Sequence, residues 1–222
     1  EQYVNYWMHV GFINVDGEKM SKSLGNFFTI RDVMDKFHPE VIRYFIVSSH
    51  YRSPVNFSDA ALKEAKNTLS RFYHSFKAYQ QTYGTEVVAA NDETLVERFN
   101  AAMRDDFNTS EAIAVLFEIN KALNTSVKDG NAEQAAVYYA TLRHLTNILG
   151  LVQHNVDDFL KSDIGQEALG LSAEQIEDLI QQRVDAKKAK EFARADEIRQ
   201  SLLDQGVVLE DTRQGTIWRR AD

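Results

Sequence analysis

The strongest constraint on the fold is a helical periodicity that begins at Ser58 and continues along most of the chain. Apolar residues recur there at three- and four-residue steps, which places them on one face of a helix. Breaks at 84–90, 129–130 and 150 divide the pattern into three or four amphipathic helices. Helices joined by such short breaks predict an antiparallel bundle over 58–150. Only two prolines occur in 222 residues, which also favours helix.

The region before the bundle has a mixed pattern. Residues 3–15 are rich in aromatic and β-branched side chains, and 16–17 is an Asp-Gly pair that signals a tight turn. Thr29 can cap a short helix, and the apolar residues of 41–46 predict another. This first region ends at about residue 57.

The region after the bundle changes character twice. Residues 151–171 contain several helix breakers and predict a linker. Two helices are predicted between Ser172 and Gly206, a glycine suited to the position that follows a helix. Strand-like residues at 207–209 and 216–218 then predict a hairpin. The end of the chain is therefore expected to be a small α/β module.

Charge and residue content restrict the function. The net charge of −8 argues against nucleic acid in general, because phosphate is held by lysine and arginine. The sequence contains no cysteine, which excludes disulfides and thiolate metal sites within it. No apolar run approaches the roughly 20 residues needed to cross a bilayer. A locally basic face for RNA stays open, since basic residues cluster at Lys187, Lys188, Lys190, Arg194, Arg199, Arg213, Arg219 and Arg220.

The stretch with the most specific chemistry is Lys-Met-Ser-Lys-Ser at 19–23, here called the lysine loop. Lys19 and Lys22 lie among small polar residues just after the predicted hairpin, so a loop there can place two ammonium groups on a polyphosphate. Preorganised cations stabilise the charge that develops when a nucleotide triphosphate is cleaved. A solvated lysine-serine turn is the ordinary alternative. A P-loop is excluded, because the sequence has no glycine-rich loop that ends in Gly-Lys-Ser or Gly-Lys-Thr.

The lysine loop is identical to the KMSKS signature of class I aminoacyl-tRNA synthetases. Its surroundings resemble the cysteinyl type of that class over essentially all 222 residues. The residues that carry the resemblance are Tyr6-Trp7-Met8-His9, Asn26-Phe27-Phe28-Thr29-Ile30-Arg31-Asp32, Val41-Ile42-Arg43-Tyr44-Phe45, His50-Tyr51-Arg52-Ser53 and Asp105-Asp106-Phe107-Asn108-Thr109.

The resemblance implies a mainly α fold in several parts. Residues 1–57 would be the end of a class I Rossmann-type catalytic domain with a stem-contact fold, and 58–150 a helical bundle of the DALR kind that binds tRNA. A linker at 151–171 would lead to a C-terminal anticodon-recognition module at 172–222. The sequence begins at Glu1 rather than at methionine and shows no signal sequence, so we expect a fragment of a longer cytoplasmic protein.

The resemblance also implies roles at the active site. Lys22 would contact ATP and stabilise the transition state, and Lys19 would assist on the same polyphosphate. Ser21 and Ser23 would add donors to the ATP site, and Met20 would seat the loop or belong to the core. His9 would face the nucleotide or, the interpretation that we favour, end a strand.

The cofactors implied are ATP with Mg²⁺, and Zn²⁺ as the ion that selects the cysteine thiolate. The zinc ligands are expected upstream of residue 1, together with the other ATP signature. The remaining histidines show no ligand spacing and are interpreted as structural or surface residues: His38, His50, His74, His144 and His154.

The anticodon would be read by residues of the last module. Phe192 would stack on a base, where the family often has tryptophan, and Lys187 would bind a base edge or a phosphate, where arginine is common. Asp196 and Asp211 would accept hydrogen bonds from bases. The alternative for each is an ordinary surface ion pair, such as one between Asp196 and Arg199.

The implied function is the activation of cysteine with ATP and its transfer to tRNA(Cys) by a monomer, with no membrane partner. The fragment alone would be inactive. One alternative is a stand-alone RNA-binding fragment without catalysis. Another is a related ligase that joins cysteine to an amino sugar, which has no need of an anticodon module.

Overall fold

The computed structural model describes residues 3–87, 89–162, 171, 173–189, 191–212 and 215–220. They belong to two compact units, Glu1–Val156 and Asp157–Asp222, and each is described by itself. Most of the described residues are helical, so the prediction of a mainly α fold is confirmed. No helix in the described part of the chain combines the length and the apolar content needed to cross a membrane.

A small sheet opens the first unit. Strands β1 (Ile13–Val15) and β2 (Glu18–Lys19) are antiparallel and are joined by the predicted Asp-Gly turn. Strand β3 (Val55–Phe57), which the sequence did not predict, pairs with β1 in parallel, with Ile13 opposite Val55. A parallel pair requires a crossover connection, and two helices between the strands supply it.

The two crossover helices have side-chain caps at their first turns. Helix α1 (Ile30–Met34) has a capping box, in which Thr29 accepts from the backbone N–H of Asp32 and the Asp32 carboxylate accepts from Thr29. Helix α2 (Pro39–Val47) begins at the proline, and His38 accepts from the N–H of Glu40. Both helices were predicted, and the cap at Thr29 is confirmed.

The rest of the first unit is a bundle of four long helices. They are α3 (Asp59–Tyr83), α4 (Glu93–Arg104), α5 (Thr109–Lys128) and α6 (Ala132–Ile148). Their apolar faces meet in a core where Tyr79 stacks on Tyr139 with ring centroids 4.1 Å apart. The predicted face of α3 is buried as expected, at Leu62, Ala65, Leu69, Phe72, Phe76 and Tyr79.

The segment predicted as a linker contains a short helix, α7 (Val156–Lys161). Val156 and Phe159 are buried, which explains why this stretch is ordered as helix despite the breakers around it. The rest of the predicted linker at 163–170, and the start of the next helix at Ser172, lie outside the described residues.

The second unit is a helix pair packed on a hairpin. It comprises α8 (Ala173–Lys188), α9 (Phe192–Asp204), β4 (Val207–Thr212) and β5 (Gly215–Arg220). The predicted hairpin is confirmed, with β4 antiparallel to β5, and Gly206 has the positive φ of 73° that a turn after a helix requires. The core is formed by Ile176, Ile180, Leu202, Val207, Leu209 and Trp218.

Candidate functional site

The lysine loop follows β2 directly, because Lys19 is the last residue of that strand. Its shape is fixed by the amide of Asn26. The Asn26 carbonyl accepts from the backbone N–H of Ser21 at 2.8 Å, and its Nδ2 donates to the Lys19 carbonyl at 3.4 Å. The Asn26 side chain thus bonds the backbone at Lys19 and at Ser21, the residue before Lys22, and closes the loop.

The serines of the loop organise the turn. Ser21 Oγ accepts from the N–H of Leu24 at 3.2 Å and lies 3.2 Å from Ser23 Oγ. The N–H of Gly25 donates to the Lys22 carbonyl, and its φ of 69° is one that glycine adopts readily. In this structure the Ser21 hydroxyl therefore holds the backbone, while Ser23 is exposed and Met20 is half-buried.

Both lysines of the loop lie over phenyl rings. Lys22 Nζ is 5.4 Å from the ring centroid of Phe27, and Lys19 Nζ is 5.1 Å from that of Phe12. Both lysines are exposed, and among the described residues no carboxylate lies at salt-bridge distance from either ammonium. A cation over an exposed ring is held weakly, by about 0.5–1 kcal/mol. The two ammonium groups are therefore available to an anionic ligand.

His9 does not end a strand. It is exposed and lies before β1, outside the strands of this sheet. The prediction that His9 ends a strand was therefore wrong. The first strand begins later than the run of aromatic and β-branched residues indicated.

In the second unit, Asp211 on β4 is the centre of a polar cluster. Arg183 on α8 donates from both terminal nitrogens to its two carboxylate oxygens at 2.9 Å each. Thr216 Oγ1 donates at 2.7 Å, and Lys187 Nζ at 3.1 Å. The Arg183 guanidinium, then Thr216 and Lys187, hold the pKa of the Asp211 carboxyl far below its usual range. Asp211 is ionised at every physiological pH.

The four donors fill the acceptor capacity of the Asp211 carboxylate, which has about four lone-pair positions. Arg183 is fixed, because its side chain is only 4% exposed. Lys187 is 43% exposed and is the donor that can leave. One acceptor position on the Asp211 carboxylate therefore opens when Lys187 moves away from it.

Arg183 was not among the residues predicted from the sequence. It precedes Lys187 by one helical turn, so both side chains lie on the same face of α8. That spacing is the signal that could have paired the two residues, but nothing in it indicates Asp211 as their common partner.

Phe192 and Asp196 occupy one face of α9, one turn apart. Phe192 is 64% exposed, a large fraction for a phenyl ring, and Asp196 is exposed as well. The described contacts of α9 include an ion pair between Arg194 and Glu191 but none between Asp196 and Arg199. The surface-pair alternative therefore holds for Asp211 and Lys187, which bond to each other, and is not observed for Asp196.

The described residues offer no metal centre. No three histidine, aspartate or glutamate side chains converge there in a way that could hold an ion. The expectation that zinc ligands lie upstream of residue 1 is untouched by this observation and stays a prediction.

Three segments of the chain match known families. Residues 1–67 match the family described as "tRNA synthetases class I (C) catalytic domain", and 98–153 match the "DALR domain". Residues 170–219 match the "Cysteinyl-tRNA ligase anticodon binding domain". The chain belongs to the cysteine–tRNA ligase family. It corresponds to the C-terminal part of these ligases, from just before the KMSKS signature.

Individual cysteine–tRNA ligases are similar along the whole chain. That of Acinetobacter baumannii (strain ATCC 17978) is 81% identical over 222 residues, and that of Acinetobacter baylyi is 78% identical. The ligase of Psychrobacter cryohalolentis is 50% identical over 230 aligned residues. Each match covers 99–100% of this chain and 47% of the relative, so the chain spans about half the length of these ligases.

A solved structure shows the same fold. The LeuRS of Agrobacterium radiobacter K84, crystallised in a ternary complex with tRNA and LeuAMS, aligns with a TM-score of 0.53 at 19% identity. The alignment covers 74% of this chain and 24% of that protein. At this identity the likeness concerns the fold alone, and it supports the class I architecture predicted for the cysteine–tRNA ligase family.

Proposed function

We propose that this chain supplies the ATP-cleaving loop and the tRNA-binding surfaces of a cysteine–tRNA ligase. The complete reaction joins cysteine to ATP as cysteinyl-adenylate and transfers the cysteinyl group to tRNA(Cys). The observation that carries the proposal is the state of the lysine loop, in which Lys19 and Lys22 are exposed and have no carboxylate partner among the described residues. Family membership supports the same function.

In the first step the cysteine carboxylate attacks the α-phosphorus of ATP, and pyrophosphate leaves with the bond electrons. Lys22 Nζ moves from the Phe27 ring to the polyphosphate and stabilises the charge that develops there. Lys19 assists from the end of β2, and Mg²⁺ accompanies the nucleotide. Ser21 and Asn26 keep the loop in the turn that presents both ammonium groups.

The second unit reads the anticodon in this proposal. The exposed Phe192 ring stacks on one base, and Asp196 accepts from a neighbouring base edge. Lys187 leaves Asp211 for a phosphate, which frees one acceptor position on Oδ2 of a carboxylate that Arg183 still holds through both oxygens. Acidic groups suit base edges because they accept only from amino and imino hydrogens, and so discriminate among bases.

The remaining expectations stay predictions. Zinc ligands that select the cysteine thiolate belong to residues outside this chain, and the ligase is expected to be a cytoplasmic monomer. The alternatives also stay open to test. A stand-alone RNA-binding fragment would bind tRNA without ATP chemistry, and a cysteine–amino-sugar ligase would not respond to the anticodon.

The test uses a hybrid ligase, in which this chain replaces the matching part of the Acinetobacter baumannii enzyme. ATP–pyrophosphate exchange measures adenylate formation without tRNA. We expect K22A to slow exchange by about 10²- to 10³-fold, the cost of removing one preorganised charge from a transition state. The matched control is K63A, which removes an exposed lysine of α3. Exchange that is unchanged in K22A, or reduced equally in K63A, would refute the role of the loop.

A further inference from the structure

The turn between α4 and α5 contains a carboxylate that accepts hydrogen bonds from two residues of a loop distant in sequence. Asp106 accepts from Tyr51 Oη at 2.6 Å, from Arg52 Nε at 2.6 Å and from the terminal Nη2 of Arg52 at 3.0 Å. These three residues are here called the Asp106 clamp. The clamp connects the bundle to the loop that follows α2, and neither the lysine loop nor the anticodon residues belong to it.

The backbone around Asp106 is strained. Asp106 has a φ of 54° and Phe107 a φ of 53°, so two successive residues other than glycine adopt the left-handed conformation. Such a conformation persists only where the surrounding structure enforces it. Backbone hydrogen bonds from Phe107 to the Met103 carbonyl and from Asn108 to the Ala102 carbonyl close this turn, and the clamp holds the Asp106 side chain that projects from it.

The start of α5 and the end of α2 are joined beside the clamp. Thr109 Oγ1 donates to the Ser49 carbonyl at 3.3 Å, and Ser110 Oγ donates to the Ser48 carbonyl at 3.1 Å. Carbonyls at the end of a helix lack partners within the helix, so these hydroxyls satisfy them. The bundle therefore holds the segment from Ser48 onward by its backbone as well as by side chains.

Within that segment the rings and the guanidinium form a stack. The His50 ring lies on the Tyr51 ring with centroids 5.0 Å apart and an interplanar angle of 25°. The Arg52 guanidinium lies on Tyr51 as well, 5.0 Å from the ring centroid. These contacts hold the three side chains of the loop against one another.

The segment from Ser48 onward also contacts the strands that lead to the lysine loop. The N–H of Gly11 donates to the Tyr51 carbonyl at 2.8 Å. A Cβ on Gly11 would come within 2.1 Å of the Ser53 carbonyl oxygen, so the two backbones touch. β3 then pairs with β1, and β1 pairs with β2, which ends at Lys19. An unbroken series of backbone contacts links the clamp to the lysine loop.

We infer that the Asp106 clamp is a positioning site for the proposed adenylation reaction, which fixes the lysine loop relative to the tRNA-binding bundle. This inference rests on the proposed function of the loop. Asp106 itself touches no substrate. It acts through Tyr51 and the three-stranded sheet, and its loss leaves the loop folded but incorrectly placed.

The chain contains a matched control for the clamp. Exposed ion pairs usually contribute little, and bidentate pairs in a network are the exception. Arg98 and Glu118 form a second exposed bidentate pair, at 2.7 and 2.9 Å, which joins α4 to α5 within the bundle. Unlike the clamp, it does not reach the loop after α2. E118Q therefore removes the same kind of bond without disturbing the sheet.

The first experiment measures amide hydrogen exchange on the whole chain, without any substrate. We expect D106N to accelerate exchange at 11–19 by about tenfold, because the sheet opens locally when its anchor is weakened. Exchange in the middle of α5 should stay as in the unchanged chain, which shows that the bundle remains folded. E118Q should leave 11–19 unaffected. Equal exchange in D106N and the unchanged chain, or the same acceleration in E118Q, overturns the inference.

The second experiment measures pyrophosphate exchange by the hybrid ligase. D106N is expected to lower kcat on the order of tenfold with little change in the KM for ATP, since a misplaced charge weakens the transition state more than ground-state binding. K22A is measured in parallel. Loss in K22A with full activity in D106N overturns only the positioning role, whereas full activity in K22A overturns the proposed function itself.

Discussion

Single residues decide what each site can bind, and Asp211 is the clearest case. Its carboxylate is 48% exposed, which by itself suggests a free acceptor for a base. Four donor atoms from three residues occupy it, however, and two of these atoms belong to the buried guanidinium of Arg183. The residue proposed to read a base and the residue that fixes it in place are therefore different, and the second is buried.

The first prediction concerns Arg183. R183K keeps the positive charge but loses the planar fork that bonds both oxygens of Asp211. We expect the free energy of unfolding of the second unit to fall by about 1–3 kcal/mol, because the lysine cannot replace both hydrogen bonds that the buried guanidinium makes to Asp211. Chemical denaturation can be followed by the fluorescence of Trp218 in a W7F background, since Trp218 is buried in this unit.

The control for this substitution is R194K. Arg194 is exposed and pairs only loosely, at 3.6 Å, with Glu191. Its replacement should change the unfolding free energy by less than about 0.5 kcal/mol, as surface substitutions usually do. Equal effects of R183K and R194K would show that the fork to Asp211 does not stabilise the unit.

At the scale of elements, polar contacts at the beginning of α2 hold several parts of the first unit together. Glu40 is buried, and its carboxylate accepts from Tyr73 Oη at 3.0 Å and from the N–H groups of Val152 and Gln153 at 2.7 and 3.1 Å. These bonds join α2 to α3 and to the segment after α6. The N-terminus of α2 therefore connects this helix to α3 and to the segment after α6.

The second prediction concerns His38, which caps α2. Burial, followed by the nearby charges of His154 and Lys66, lowers the pKa of His38 below its usual value of 6.5. The cap needs neutral Nδ1, because that atom accepts from the N–H of Glu40 at 3.2 Å. The unfolded chain binds a proton at higher pH than the folded one, so the stability of the first unit should decrease as pH falls below about 6.5.

The measurement compares the unchanged chain with H38N between pH 5 and 8. Asparagine is a good capping residue and does not titrate in this range. The unfolding free energy of H38N should therefore depend less on pH than that of the unchanged chain. Parallel pH profiles for the two proteins would assign the dependence to other groups.

At the scale of the whole molecule, the charge distribution limits how the proposed tRNA partner would be held. The net charge of −8 repels a polyanion, so attraction must come from a few local cations. Such binding is expected to involve few phosphates and to depend only moderately on salt. Specificity then rests mainly on stacking and on hydrogen bonds to base edges.

The third prediction uses this dependence on salt. If Lys187 leaves Asp211 for a phosphate, K187Q should reduce the slope of log K against log salt by about 0.7, the value for one contact with a single strand. Binding of tRNA(Cys) to the whole chain would be measured by fluorescence anisotropy at several salt concentrations. K188Q changes the net charge equally, but Lys188 pairs with Asp185 instead. An equal slope in K187Q and the unchanged chain would contradict a phosphate contact.

Much of the fold was predictable from local sequence. The bundle helices, the cap at Thr29, the Asp-Gly turn and the final hairpin all appear where the pattern indicated. Strand β3 was missed, because it has only three residues and pairs with β1 across a crossover. The helix α7 was missed for a related reason, since burial rather than propensity maintains it.

The sequence by itself determined the helices, the lysine loop and the family, because these depend on neighbouring residues and on short motifs. Only the tertiary structure decided which polar groups meet. Asp106 and Arg52 are separated by 54 positions, Arg183 and Asp211 by 28, and Glu40 and Val152 by 112. Periodicity extends over a few turns of a helix and carries no record of such pairs. They form because packing brings distant backbones together, and for the buried Glu40 and Arg183 an unpaired polar group would also be costly.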